Sequence, residues 1–386
     1  MAHALILGAS GISGWSLMNQ ACRYPTPETF KRITGTTNRP LPLEKTHLPI
    51  DSRLHIASGV DFTKSVDEVA ASLRQGIPDA ETISHVFYAA YAKGTTPEYH
   101  VALNTSLLVV AIQAIERVSP NLKVIILQTG SKVYGVTHPN EIKIQPPLKE
   151  NLARIPAPWA DGVFYYAQYD ALDRLSRGKA WTFSEVRPDA IVGFAPTANA
   201  MNMARGIGLY LAIHRAVRGA GAVVAFPGTE HGYRATHTDT FQDALSRMEI
   251  FAAVNAMTER SCCGDGAAFN AAGEQAVSWS RKWPRLCDYF GLTGQGPDAC
   301  SGRIRDFMID HEDAWSDLAK EHGLEEGAVG DFDWAFLEFM LVQCDFDREL
   351  DLTRSREVGF TEEIDTVEGY LTSWKRMIAA KQLPPL

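Results

Sequence analysis

Short apolar runs alternate with longer amphipathic stretches through the first half of the chain. The apolar runs have the length of buried strands, and we predict strands over Ala4–Leu7, Arg32–Gly35, His85–Tyr88, Lys123–Gln128 and Thr182–Val186. The stretches between them repeat apolar residues at helical spacing and predict helices, among them Trp15–Cys22, Ser65–Leu73 and Val101–Val118. Strands that are apolar throughout and alternate with helices indicate an α/β fold, a doubly wound parallel sheet of Rossmann type with helices on both faces. Such a sheet binds ligands at the carboxyl ends of its strands.

The alternation stops after about Gly193, and the second half has a different pattern. We predict a strand over Ala222–Phe226 and helices over Met201–Val217, Asp313–Glu321, Trp334–Phe346 and Asp365–Lys381. The chain is therefore expected to hold a dinucleotide-binding Rossmann domain over 1–195 and a mainly helical substrate-binding region over 196–386. Part of 222–270 is expected to return to the sheet.

A glycine-rich turn follows the first predicted strand directly. It has the spacing Gly-x-x-Gly-x-x-Gly, and the helix that it precedes can offer its N-terminal amides to a pyrophosphate. The first glycine permits a sharp turn, the second a close approach of the phosphates, and the third close packing of the helix on the sheet. We predict a dinucleotide site that includes Gly8, Ser10, Gly11, Ile12 and Gly14.

The carboxyl ends of the next strands indicate which dinucleotide is bound. The second strand is followed by Asn38 and Arg39 without an acidic residue, which favours the 2′-phosphate of NADP over the 2′-hydroxyl of NAD. The alternative for Arg39 is a solvated surface side chain. Asp61, with Phe62, is expected either to contact the adenine or to cap a turn. The backbone at Tyr88 and Ala89 should border the cofactor.

Two later segments carry residues suited to proton and charge transfer. Leu127–Gly135 contains Thr129 and Lys132 at the end of a strand, where a lysine can bind ribose hydroxyls and lower the pKa of a phenol. Val163–Asp173 begins a helix and contains Tyr166, but Asp170 occupies the position where short-chain dehydrogenases place a lysine.

These two segments together resemble the progesterone 5β-reductase/iridoid synthase-like family of atypical short-chain dehydrogenases. That family takes its lysine from Leu-Gln-Thr-Gly-x-Lys-x-Tyr, which Leu127–Tyr134 matches, and its tyrosine from Phe-Tyr-Tyr-x-x-x-Asp, which Phe164–Asp170 matches. Arg187–Pro196 is similar to a further segment of the family. The resemblance implies an extended short-chain dehydrogenase fold, NADPH as cofactor, and Lys132 and Tyr166 as catalytic residues.

We place other residues at the site by the same comparison. Pro188 and Ile191 are expected to join Lys132 and Tyr166 at the cofactor. The substrate is expected to contact Tyr91, Tyr134 and Phe194. A homodimer is compatible with the resemblance.

Composition narrows the classes of partner. The 386 residues carry a formal net charge of −9, which argues against nucleic acid and anionic membranes as partners. We find no apolar run of membrane-spanning length and no signal peptide, so we expect a cytoplasmic protein. The six cysteines are expected to be reduced thiols, and His231 and His237 lack a third metal ligand, so no metal site is expected.

Three functions remain open on the sequence. The first is an NADPH-dependent reductase that adds hydride to the β-carbon of a small apolar α,β-unsaturated carbonyl compound, in specialised metabolism. The second is a reductase of ketones or aldehydes with the same cofactor. The third is a cyclase, an isomerase or an NADPH-binding regulator that does no redox chemistry.

Overall fold

A computed structural model of the chain describes residues 2–197, 199, 201–258, 262–298 and 303–386. Cys300, one of the six cysteines, lies outside these residues. The strands are β1 His3–Leu7, β2 Arg32–Thr37, β3 Leu54–Ser58, β4 His85–Tyr88, β5 Val124–Gln128, β6 Thr182–Pro188, β7 Ile191–Val192, β8 Val223–Ala225, β9 Thr236–His237, β10 Thr240–Phe241, β11 Ala267–Ala271, β12 Val277–Ser278 and β13 Thr293–Gln295. The helices are α1 Ile12–Ala21, α2 Val66–Gly76, α3 Pro97–Val118, α4 Phe164–Ser176, α5 Met203–Arg218, α6 Glu230–Arg234, α7 Gln242–Asn255, α8 Trp279–Tyr289, α9 Ile304–Asp310, α10 Glu312–His322, α11 Trp334–Glu338, α12 Thr353–Glu357 and α13 Thr366–Ala379.

Seven strands form one parallel sheet in the order β11-β6-β5-β4-β1-β2-β3. The central strand β1 is buried along its whole length, and its Leu5 lies opposite Thr34 of β2 and Val86 of β4. This is the doubly wound Rossmann-type fold that the apolar runs predict. The strand order reverses between β1 and β4, so the crevice at their carboxyl ends is the expected ligand site.

Helices cover both faces of the sheet. On one face α1 packs against α7, and on the other α2 and α4 both pack against α3. The 22-residue α3 is long and apolar enough to cross a membrane by length and composition, which corrects our expectation that no apolar run reaches that length. In this fold its buried side, including Leu108, Ile112 and Ile115, packs in the layer that covers the sheet.

The second half of the chain builds its own core around aromatic side chains. Trp279, Trp283, Trp315 and Trp374 are all buried there, between α5, α8, α10 and α13. One segment of this half joins the main sheet, because β11 pairs in parallel with β6 at the sheet edge. The predicted strand at Ala222–Phe226 is β8, which pairs with β13 in a separate two-stranded sheet.

Candidate active site

A cleft of about 340 Å³ opens at the carboxyl ends of β1, β4 and β5. It lies at the point where the strand order reverses, as expected for a doubly wound sheet. The glycine turn, the segment after β4 and the turn after β5 form its walls together with the start of α4. Its lining residues are Gly8, Ser10, Gly11, Ile12, Ser13, Ala89, Ala90, Tyr91, Gln128, Thr129, Lys132, Phe164, Tyr165, Gln168, Ile191, Asn199 and Met201.

The glycine turn is built for close backbone packing. Gly8 has a φ of +94°, and a side chain there would bring its Cβ within 2.8 Å of the Ala89 carbonyl oxygen. A Cβ on Gly14 would overlap the carbonyl oxygen of Gly8. No side chain among the described residues caps the start of α1, so its first amides remain open to a ligand. This cradle fits the pyrophosphate of a dinucleotide.

Lys132 lies in the same cleft, on the short 3₁₀ turn Ser131–Tyr134 that follows β5. Burial lowers its pKa, because the protein replaces part of the water that would solvate the ammonium group. The structure therefore places Lys132 where the sequence predicts it, together with Thr129, whose hydroxyl donates to the buried Glu185 carboxylate at 2.6 Å.

Tyr165, and not Tyr166, shares the cleft with Lys132. Its hydroxyl lies close to Gly130, whose missing side chain leaves room for the phenol (3.6 Å from a Cβ built there). Burial raises the pKa of Tyr165, so the phenol stays protonated and can donate a hydrogen bond.

The predicted catalytic residue Tyr166 points away from the cleft, which corrects its assignment. Its hydroxyl donates to the Val133 carbonyl oxygen at 2.5 Å and accepts from the Ile155 amide at 3.2 Å. It lines a second pocket, of about 160 Å³, with Arg154. Successive residues of a helix point about 100° apart, so the first turn of α4 directs its two adjacent tyrosines to different sides.

Two of the predicted substrate residues lie elsewhere. Tyr134 lines the second pocket, where its hydroxyl donates to Asn270 Oδ1 at 2.7 Å. Phe194 is fully buried and packs edge-on against Trp15, with ring centroids 4.8 Å apart. Tyr91 does line the cleft, with half of its surface exposed.

The predicted cofactor residues divide in a similar way. Ser10, Ile12, Ala89 and Ile191 line the cleft together with Gly8 and Gly11. Tyr88 and Pro188 are buried outside this lining, and strand alternation directs the Tyr88 side chain into the core. The expectation for Tyr88 concerns its backbone and stays a prediction.

The segments after β2 and β3 lie apart from this lining. Asn38 and Arg39 are exposed beyond the end of β2, where the Thr37 hydroxyl donates to the Arg39 carbonyl oxygen at 2.7 Å. Asp61 accepts hydrogen bonds from both the amide and the hydroxyl of Thr63, at 2.9 and 2.7 Å, which lowers its pKa. Asp61 thus caps a turn, the second of its two expected roles, and Phe62 packs in the core.

Sequence reasoning missed several residues of the cleft. Gln128 and Gln168 line it, and the Gln168 amide donates to the Asn104 carbonyl oxygen at 3.0 Å. His100 packs against Tyr91 and Phe164, two residues of the lining. Gln128 is part of the Leu-Gln-Thr-Gly-x-Lys-x-Tyr motif and could have been found from it. No quoted motif position singles out Gln168 or His100, which join the others only through tertiary packing.

A buried polar network lies behind the lysine turn. The Ser131 hydroxyl donates to Asp189 Oδ1 at 2.7 Å, and Arg348 Nε donates to Asp189 Oδ2 at 3.1 Å. Nearby, Lys282 Nζ donates to Asp239 at 2.5 Å. Buried charges are tolerated when they are paired in this way. The bonds of Asp189 to Ser131 and Arg348 connect the lysine turn to the second half of the chain.

Comparison with known proteins places the chain in a family. The model of the PRISE-like Rossmann-fold domain matches residues 4–384, so the chain belongs to this family. It is 36% identical to the short chain dehydrogenase ausT of Aspergillus calidoustus, over 99% of this chain and 94% of that protein. It is 29% identical to the (S)-8-oxocitronellyl enol synthase ISY1 of Nepeta racemosa, over 99% and 93%.

Solved structures show the same fold at low sequence identity. The UDP-glucuronic acid 4-epimerase of Bacillus cereus, solved with NAD, superposes with a TM-score of 0.60 at 14% identity, covering 98% of this chain and 99% of that one. The family and the cradle in the cleft together define a nucleotide-dependent enzyme of the short-chain dehydrogenase type.

Proposed function

We propose that this enzyme is an NADPH-dependent reductase of α,β-unsaturated carbonyl compounds. One observation carries the proposal: a lysine and a protonated tyrosine, Lys132 and Tyr165, line the same cleft as the glycine cradle. A cation and a phenol donor form a site for an oxygen that gains negative charge during a reaction.

The chain's own residues would act on the carbonyl oxygen of the substrate. NADPH, held by the glycine turn and the start of α1, would supply the hydride for the β-carbon. Tyr165 would donate a hydrogen bond to the carbonyl oxygen, and this bond strengthens as the oxygen acquires enolate charge. Lys132 would add positive charge beside that oxygen, and solvent would deliver the proton to the α-carbon.

Two further observations support the choice of cofactor and reaction. The exposed Arg39 after β2, with no acidic residue beside it, suits the 2′-phosphate of NADPH. The relative from Nepeta racemosa is named for an enol product. An enol is the protonated form of the enolate that the site would stabilise. The rings of Tyr91 and Phe164 in the cleft favour an apolar substrate, and a role in specialised metabolism is part of the proposal.

The test compares two adjacent tyrosines. Tyr165→Phe should lower kcat for a panel of enals and enones at least about 100-fold, since the donor to the developing charge is lost. Tyr166→Phe is the matched control and should retain activity, because among the described residues that hydroxyl bonds to Val133 and Ile155 alone, outside the cleft. Lys132→Ala should be impaired as severely as Tyr165→Phe.

Product analysis by mass spectrometry identifies the reaction. Saturated aldehydes and ketones with oxidised NADP would support the proposal. Alcohols would show carbonyl reduction on the same site, and nucleotide binding without oxidation would show non-redox chemistry. Loss of activity in Tyr166→Phe with full activity in Tyr165→Phe would reverse the assignment of the two tyrosines.

A further inference from the structure

His100 is held in one orientation by the backbone beside the cleft lining. It lies in the first turn of α3, and its Nδ1 atom is 3.0 Å from the amide nitrogen of Gly94. The segment before α3 folds back over it, since a Cβ on Gly94 would collide with the His100 backbone. Asn104 fixes the same segment through two hydrogen bonds to Ala92, of 3.0 and 2.8 Å.

This contact fixes which ring nitrogen carries the proton. A backbone amide can only donate, so Nδ1 of His100 must accept, and the neutral ring therefore carries its hydrogen on Nε2. Burial and the nearby charge of Lys132 lower the pKa of His100, which keeps the ring neutral at pH 7. Nε2–H is thus an oriented donor that makes no hydrogen bond to the described part of the chain.

The ring of His100 packs against two aromatic residues of the cleft lining. Its centroid lies 5.4 Å from that of Tyr91 and 5.0 Å from that of Phe164. Phe164 also contacts the ring of Tyr165, at 4.4 Å. The rings of Tyr165 and His100, each of which carries a hydrogen-bond donor, therefore both pack against Phe164.

We propose that His100 is a specificity-determining residue whose Nε2–H binds a second oxygen of the substrate. The substrate would then be an unsaturated carbonyl compound with a further acceptor oxygen, separated from the reacting carbonyl by an apolar spacer that packs on Phe164. This inference rests on the proposed function of the site. A donor without a partner beside a cation selects acceptors and disfavours positively charged groups.

The experiment uses two substrates of matched shape, para-acetylcinnamaldehyde and para-isopropylcinnamaldehyde, of which only the first has the second acceptor. For each protein we divide kcat/KM for the acetyl compound by kcat/KM for the isopropyl compound. The readout is this ratio in the wild type divided by the same ratio in His100→Phe, a substitution that keeps the aromatic packing. We expect this quotient to be about 3 to 10, the range for one hydrogen bond. The exposed neighbour Tyr99 provides the control, and Tyr99→Phe should keep the wild-type ratio.

Binding of both compounds to the NADP⁺-loaded protein, measured by calorimetry, separates this inference from the proposed function. Tighter binding of the acetyl compound that is lost in His100→Phe supports the role of His100, even if neither compound is reduced. Equal binding of the two compounds to the wild type would overturn the second-acceptor requirement. A preference for the acetyl compound that survives in His100→Phe would overturn the assignment to His100. If the wild type binds the acetyl compound more tightly but reduces neither compound, the result counts against the proposed reaction alone.

Discussion

At the scale of single residues, a substitution of Arg39 tests whether the protein prefers NADPH to NADH. Its guanidinium is exposed beyond β2 and has no partner among the described residues, while its backbone is fixed by the Thr37 hydroxyl. Arg39→Ala should weaken NADPH binding roughly 10- to 100-fold, since a charge-assisted contact is worth about 1.5–3 kcal/mol. The affinity for NADH, a nucleotide without the 2′-phosphate, should change little. Titration calorimetry measures both affinities.

Lys31→Ala is the control for the general effect of charge. Lys31 is exposed at the opposite, amino end of β2, so its loss removes the same charge far from the ribose site. If the two variants weakened NADPH binding equally, Arg39 would not contact the phosphate directly.

The sequence located the reactive segments but not the orientation of every side chain in them. Lys132 was predictable because a short turn after β5 can only present it at the sheet edge. Tyr165 and Tyr166 are adjacent in a motif of two tyrosines, and only the start of α4 at Phe164 decides which of them faces the cleft. Asp61 left two roles open, and its bonds to Thr63 became visible only in three dimensions.

At the scale of elements, the junction of β1 and α1 contributes both to the stability of the fold and to nucleotide binding. Substitutions at two glycines of this junction are expected to affect these two properties differently. Gly14→Ala would drive a Cβ into the Gly8 carbonyl oxygen, so α1 must move away from the turn. We expect a loss of about 1–3 kcal/mol in the free energy of unfolding, the usual range for overpacking, and weaker nucleotide binding. Urea denaturation and calorimetry measure the two effects.

Gly11→Ala is the variant to compare with Gly14→Ala. Its Cβ would lie 3.4 Å from the Gly8 carbonyl oxygen, an ordinary contact, and its φ of −81° suits alanine. The fold should therefore keep its stability within about 1 kcal/mol, while the methyl group obstructs the pyrophosphate in the cleft. Unchanged nucleotide affinity in Gly11→Ala would contradict the placement of the phosphates on this turn.

Most elements were predictable, because their hydrophobic period is clear. The exceptions are segments in which packing alters that period. The predicted β4 coincides with the observed His85–Tyr88, and the late helices are close to α10 and α13. The predicted helix Trp334–Phe346 instead changes into a π-helical turn over Phe339–Gln343 and ends there. A π turn inserts one residue into the helical repeat, and the apolar pattern of this segment is too dense to show the shift.

At the scale of the whole molecule, the second half of the chain is connected to the site through buried charges. Ser131, next to Lys132, is bonded to Asp189, and Asp189 is bonded to Arg348. The alternation of strands and helices made the sheet predictable, because few topologies satisfy it. The buried pairs were not predictable, since their members lie far apart in the sequence.

Several buried histidines make the stability of the folded molecule sensitive to acid. Burial lowers the pKa of His214 to about 3, and those of His3 and His85 to about 4. Within the described part of the chain neither ring nitrogen of His214 has a hydrogen-bond partner, and the ring stacks on Phe307 with centroids 3.9 Å apart. The unfolded chain binds protons at these histidines near pH 6.5, whereas the folded chain does not, so stability must fall as pH decreases below about 6.5.

His214→Phe tests this linkage, because phenylalanine keeps the stacking on Phe307 and cannot bind a proton. At pH 5 a folded-state pKa of about 3 costs the wild type about 2 kcal/mol relative to pH 7. The variant should escape this cost, so its loss of unfolding free energy between pH 7 and pH 5 should be smaller by about the same amount. Any packing strain from the larger ring acts equally at both pH values and cancels in the difference. Urea denaturation at the two pH values measures it, with the exposed His231→Phe as control. Equal losses in wild type and His214→Phe would show that His214 is protonated in the folded protein, against the burial that the structure gives it.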